Sequence, residues 1–167
     1  MIDLRMKRKM FIFAKNNNIS TCGANLFTHT HKPTLSYWML IPSISDEISA
    51  LFCNIPLKIR YLNSHEHNLT ATPKEVAFIT GADLMIQKKL FFQVNGFDED
   101  FFMYGEDLDL CFRAKAAGFK NYYTPSTNIL HFKGQSCRTR RWGSYVDFYK
   151  AMLIFVKIHK YLFFVPV

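Results

Sequence analysis

Glu106, Asp107 and Asp109 stand together where a polar stretch gives way to an apolar-periodic one, and carboxylates so placed have two uses. In water they complement the positive end of a helix macrodipole, each contributing roughly 0.3–1 kcal/mol. At the rim of an apolar wall, here Phe101, Phe102, Met103 and Tyr104, one of them can project into a cleft as a general base. Spacing alone leaves both uses open. Six of the thirteen carboxylates fall within residues 94–118, although the chain carries a formal charge of +8. Further along, His131 sits in the apolar segment ILHFKGQS, either packed in a core or serving as a metal ligand. Arg138, Arg140 and Arg141 follow it. Guanidinium groups there either lie solvated in a loop or pair with diphosphate oxygens through two hydrogen bonds each. His29 and His31 have no matching acid or cysteine nearby in sequence to complete a metal site and read as surface residues, and His65 and His67 in SHEH are read the same way.

The elements that must position these groups follow from periodicity. Residues 106–117 predict a helix presenting Leu108, Cys111, Phe112 and Ala116 on one face, with Asp109 pairing with Arg113 one turn along. Gly96 and Gly118 mark helix ends on either side. Before it, residues 6–15 predict a helix, 19–27 a strand, 28–33 a turn, 34–41 an extended piece, 46–53 a helix and 57–73 a long loop. Residues 75–87 predict an apolar strand interrupted at Gly81, and 88–94 a short helix. Strands at 120–124 and 128–132 flank a turn at Pro125 and Ser126. The last segment, 144–161, predicts a helix with Tyr145, Phe148, Met152, Phe155 and Val156 to one side, which either packs on the domain or lies on an anionic membrane.

Length and composition bound the rest. The 167 residues, 49% of them apolar, suit one domain with a real core. No run of eighteen apolar residues predicts a membrane-spanning helix, and the start lacks a small-residue cleavage site, so no signal peptide is expected. Cys22, Cys53, Cys111 and Cys137 form no CxxC pair, which points to a reduced, cytoplasmic setting. The basic excess favours an acidic partner: nucleic acid, an anionic membrane or a phosphorylated small molecule. The Arg138–Arg141 patch is short and no nucleic-acid motif accompanies it, so nucleic acid is not expected.

The stretch VNGFDEDFFMYGEDLDLCFRAKAAG resembles a segment of the form GGFDEDFFMYxEDxDLCxRxxxxG found in family 2 glycosyltransferases, in particular bacterial rhamnosyltransferase-like members. Asn95 replaces the first glycine; Gly96 through Tyr104, then Glu106, Asp107, Asp109, Leu110, Cys111, Arg113 and Gly118, are in register. The resemblance implies an α/β fold, a mixed sheet flanked by helices, forming the acceptor-side half of a glycosyltransferase A-type domain over residues 1–143, with 144–167 as the packing or membrane-surface helix. An upstream nucleotide-binding strand of the form VSVIIVNYN and a metal-gripping Asp-x-Asp loop are not recognisable, so the half that binds the donor is expected to be missing and the chain alone to be inactive or nearly so. It implies inverting sugar transfer from a nucleotide-sugar donor to a saccharide or lipid-linked acceptor in cell-surface glycan synthesis, on the inner face of the cell membrane. Asp107 becomes the base and Glu106 its partner. Gly81, Ala82, Asp83, Phe102, Met103 and Tyr104 become the acceptor wall, Arg138 and Arg140 the diphosphate contacts, and His131 a ligand of Mg²⁺ or Mn²⁺. The alternative is a non-catalytic half-domain acting as an anionic-ligand binder or as a partner subunit.

Overall fold

A computed structural model describes residues 4–16, 19, 21–39, 41, 72–132 and 141–159. In chain order these form α1 (Leu4–Asn16), β1 (Thr21–Phe27), β2 (Pro33–Thr34), β3 (Tyr37–Trp38), β4 (Lys74–Val76), β5 (Phe78–Ile79), β6 (Met85–Ile86), α2 (Lys88–Gln93), α3 (Glu106–Ala116), β7 (Asn121–Leu130) and α4 (Arg141–His159). The fold is α/β with a mixed sheet. β1 and β7 pair in parallel at its centre, β2 and β6 add to β1 antiparallel, and β4 adds antiparallel to β7. β3 and β5 form a separate antiparallel pair.

Alternation along β1 explains how helices come to cover both faces. Cys22, Ala24 and Leu26 point one way and pack with Met10 and Ala14 of α1, Ile19 and Ile129. The opposite face carries Thr21 and Asn25, both buried. Thr21 Oγ1 donates to Asn121 Oδ1 at 2.5 Å, and the Tyr123 hydroxyl donates to Asn25 Oδ1. Beyond them lies the main core, in which Tyr37, Phe78, Ile79 and Tyr123 meet Leu108 and Cys111 of α3 and Ala151 and Phe155 of α4. Fully burying a side chain the size of Phe155 contributes about 1.5–3 kcal/mol. A third cluster, Leu90 and Val94 against Leu110 and Ala114, fixes α2 to the far side of α3.

Two strand expectations change. Residues 75–87 do not run as one strand, because three successive pieces take three different partners: β4 pairs with β7, β5 with β3 and β6 with β1. Residues 120–132 do not form two strands about a turn. β7 is continuous, and the extra residues bulge where Gly23 and Asn25 of β1 face Tyr123 and Asn128. Asn25 Nδ2 donates to Asn128 Oδ1 at 2.9 Å and holds the bulge in place. The expected helix at 46–53 and most of the expected loop at 57–73 lie outside the described residues. α4 buries Ala151, Met152 and Phe155, while Val146 and Leu153 stay exposed, so its apolar residues are not confined to the packed side. No helix among the described residues is long and apolar enough to cross a membrane.

Candidate active site

Helix α3 begins abruptly. Tyr104 and Gly105 both have positive φ, 68° and 79°, so the chain reverses just before Glu106. Position 105 disfavours a side chain for a second reason as well. A Cβ there would lie 3.1 Å from the Phe101 ring and 3.2 Å from Ala151 Cβ of α4. Phe101 is buried beneath the turn, Phe102 is 78% exposed, Met103 is half-buried, and Tyr104 packs edge-on against Phe148 of α4 with ring centroids 6.2 Å apart. Of the apolar wall read from the sequence, Phe102 is the member that projects into solvent.

The turn delivers two carboxylates to one place. Asp107 Oδ2 accepts a hydrogen bond from the Gly81 N–H at 2.8 Å, and its Oδ1 accepts one from the Leu108 N–H at 2.8 Å. Glu106 lies alongside: a methyl built on Gly81 would sit 3.8 Å from both Glu106 Oε1 and Asp107 Oδ2. Glu106 Oε2 is buried and has no hydrogen-bond partner among the described residues. Burial pushes the Asp107 carboxyl above its ordinary value, against the lowering effect of the Gly81 and Leu108 donors. Burial raises Glu106 too, and the neighbouring Asp107 charge adds to it. The result is a pair of desolvated acids at a helix N-terminus beside an exposed glycine, an arrangement able to accept a proton from a hydroxyl.

The third acid of the turn is not in water. Asp109 is fully buried: its Oδ2 accepts from Arg113 Nε at 2.8 Å and Nη2 at 2.5 Å, and its Oδ1 lies 2.7 Å from His159 Nε2. The Arg113 pairing matches the i,i+4 expectation. Arg113 also donates to the carbonyls of Val94 and Gly96, tying the start of the acidic stretch to α3. The His159 contact was missed. It arrives from the last turn of α4, and no local pattern announces it.

Other predicted residues are distributed differently. Gly81 is exposed and Ala82 half-buried, but Asp83 is buried at 6% exposure. Its Oδ2 accepts from the Ala24 N–H at 2.6 Å and lies 3.0 Å from the Ser36 hydroxyl. His131 is held at the far end of β7 from Asn121, its N–H donating to Phe27 O at 2.8 Å. Asp107, by contrast, sits one helical turn from Cys111, whose carbonyl accepts from the Asn121 side chain at 3.1 Å. Among the described residues no three His, Cys, Asp or Glu side chains gather as a metal cage, so His131 stands without companion ligands there. Arg138 and Arg140 lie outside the described residues.

Over 71 residues the chain is 39% identical to the N-acetylglucosaminyl-diphospho-decaprenol L-rhamnosyltransferase of Mycobacterium tuberculosis, a match covering 42% of this chain and 23% of that protein. Over 72 residues it is 38% identical to rhamnosyltransferase WbbL of Escherichia coli, covering 39% of this chain and 27% of the relative. The chain thus spans about a quarter of the length of these relatives. Residues 57–153, which include the Gly81 turn, all of α3 and most of α4, match the model of glycosyl transferase family group 2. That match takes in more than half of the 167 residues and the whole Glu106–Asp107 turn, and the chain therefore belongs to glycosyl transferase family group 2.

Proposed function

We propose that this chain carries the acceptor side of a glycosyltransferase that moves a sugar, with inversion, from a nucleotide-sugar donor to a saccharide or lipid-linked acceptor in surface-glycan synthesis. The observation that carries the reading is the desolvated Glu106–Asp107 pair facing exposed Gly81. Asp107 acts as base: a proton passes from an acceptor hydroxyl to its carboxylate while that oxygen bonds to the anomeric carbon. The bond from that carbon to the diphosphate oxygen breaks, and the nucleoside diphosphate leaves with the electron pair. A raised pKa suits this role, since it brings the base closer to working pH. The unpartnered Glu106 Oε2 accepts a second acceptor hydroxyl and orients the sugar. Phe102 and Met103 offer an apolar edge to the ring.

The name of the Mycobacterium tuberculosis relative supports a diphosphate-linked lipid as the acceptor class, and both relatives' names support rhamnosyl transfer. Arg138 and Arg140 are proposed to meet the diphosphate, residues 1–143 to form the acceptor half of the domain, and residues 144–167 to pack on it. A divalent Mg²⁺ or Mn²⁺ would steady the leaving diphosphate electrostatically. Among the described residues no three His, Cys, Asp or Glu side chains form a metal site of their own. The test is transfer from nucleotide-sugar donors to a lipid-diphosphate-linked saccharide by a chimaera in which residues 57–153 replace the matched part of the Escherichia coli relative. Transfer that disappears with Asp107→Asn is the expected result. Transfer that survives the substitution overturns the assignment, and a chimaera that binds acceptor but transfers with neither residue favours a non-catalytic binder.

A further inference from the structure

We infer that Asp83 is a positioning residue for Asp107: it does not touch the acceptor, but fixes the turn whose Gly81 N–H holds the base. The inference rests on the reading of Asp107 as that base. Residues 80–83 form a tight turn closed by the Asp83 N–H donating to Thr80 O at 3.2 Å. Each end of the turn is tied to the same place. At one end the Thr80 N–H donates to Ser36 O at 2.9 Å. At the other, Asp83 Oδ2 takes the Ala24 N–H of β1 and lies within reach of the Ser36 hydroxyl, which also reaches Ala24 O. Gly81 sits between these anchors, and its one backbone donor is aimed at Asp107 Oδ2.

Close packing around the carboxyl supports a built contact. A Cβ at Gly23 would come within 2.3 Å of Ile79 Cγ2 and 3.3 Å of both Asp83 oxygens, so β1 can approach the turn this closely only with glycine there. Asp83 Oδ1 is buried without a hydrogen-bond partner among the described residues. An ionised carboxylate so placed is costly, and burial pushes Asp83 up to about 7 despite the Ala24 and Ser36 donors. The Ser36 hydroxyl has one proton and two acceptors within reach, Ala24 O and Asp83 Oδ2; a proton on Asp83 would donate to Ser36 Oγ and satisfy all three. From β1 the titratable group that feels the Asp83 charge is Cys22, whose thiol burial raises to about 12 and which therefore stays neutral. Glu106 and Asp107 of α3 face Gly81.

The readout is the Asp107 side-chain carboxyl carbon, whose ¹³C shift follows its own ionisation whether or not the Gly81 N–H is bound. In the ¹³C-labelled 167-residue chain, Asp83→Ala is expected to raise the pH midpoint of the Asp107 titration by about one unit, because the Gly81 N–H no longer favours the charged form. Asp83→Asn keeps an acceptor oxygen for Ala24 and is expected to restore the wild-type midpoint. An unchanged midpoint in a folded Asp83→Ala chain overturns the inference. Should that variant fail to fold, Ser36→Ala removes one anchor only: a smaller rise of the same sign supports the inference, and none overturns it. Neither measurement depends on transfer. A shifted midpoint in a chain whose chimaera transfers without Asp107 would retire the base and leave the Asp83–Gly81 coupling standing.

Discussion

Asp107 and Asp109 lie two positions apart on the same helix and have opposite environments. Asp107 is met by two backbone N–H groups and faces a glycine turn open to solvent. Asp109 is sealed between Arg113 and His159, each of its oxygens matched by a side-chain donor. Both are withdrawn from water, so burial by itself does not separate the acid proposed as base from a structural one. What separates them is whether a cationic partner has already satisfied the charge. Where the partners come from the protein's own side chains, the carboxylate is committed to holding α2, α3 and α4 together. Where they are backbone donors and the neighbouring Glu106 oxygen has none among the described residues, capacity remains for a ligand.

The contrast is most sharply tested at Asp109. Replacing it by Ala leaves Arg113 and His159 without their anion and is expected to cost about 3–5 kcal/mol, read as a lowered urea midpoint. Asp107→Asn should barely change that midpoint yet reduce transfer by the chimaera on the order of a hundredfold or more, with acceptor KM less affected. Its pH profile carries the sign. A base must be ionised, so wild-type kcat/KM should fall as pH drops through the raised Asp107 value, and a profile flat on the acid side would put the base elsewhere. Asp83 runs in the other direction for stability. Its folded value of about 7 lies above the ordinary 3.8, so the folded state binds the extra proton. Stability is then greatest below the unfolded value and is lost as pH rises through about 7, by roughly 2–3 kcal/mol between pH 5 and pH 8, a loss absent in Asp83→Asn. The smallest effect is at Gly81. A methyl there meets its neighbours at ordinary contact distances, so Gly81→Ala should stay within about 1 kcal/mol of wild type in thermal unfolding while weakening acceptor binding.

What could be read from the sequence follows the range of the forces involved. α1, α2 and α3 were legible to within a few residues because apolar spacing, glycine stops and asparagine ends act locally. The pairing of Asp109 with Arg113 was legible for the same reason, being one turn apart. The fragmentation of residues 75–87 was not, because β4, β5 and β6 are defined by partners in β7, β3 and β1 that lie up to 65 positions away (86 − 21). The acid pair was marked by composition, but its contact with Gly81 crosses 26 positions and leaves no periodic trace. Asp83 was placed with Gly81 and Ala82 in the acceptor wall, and its burial against the Ala24 N–H crosses 59 positions, so local spacing carries no trace of that contact.

The His159 contact also has a consequence in time. Asp109 precedes its partner by 50 positions, and at a synthesis rate of about 5–20 residues per second a ribosome takes roughly 2.5–10 s to bridge them. During that interval Asp109 has Arg113 alone for company, and α3 lacks the helix that closes over Gly105. The helix bearing the acid pair is therefore made early and locked late, so a nascent chain carries this acidic turn unsealed until the closing turns of α4 have been added.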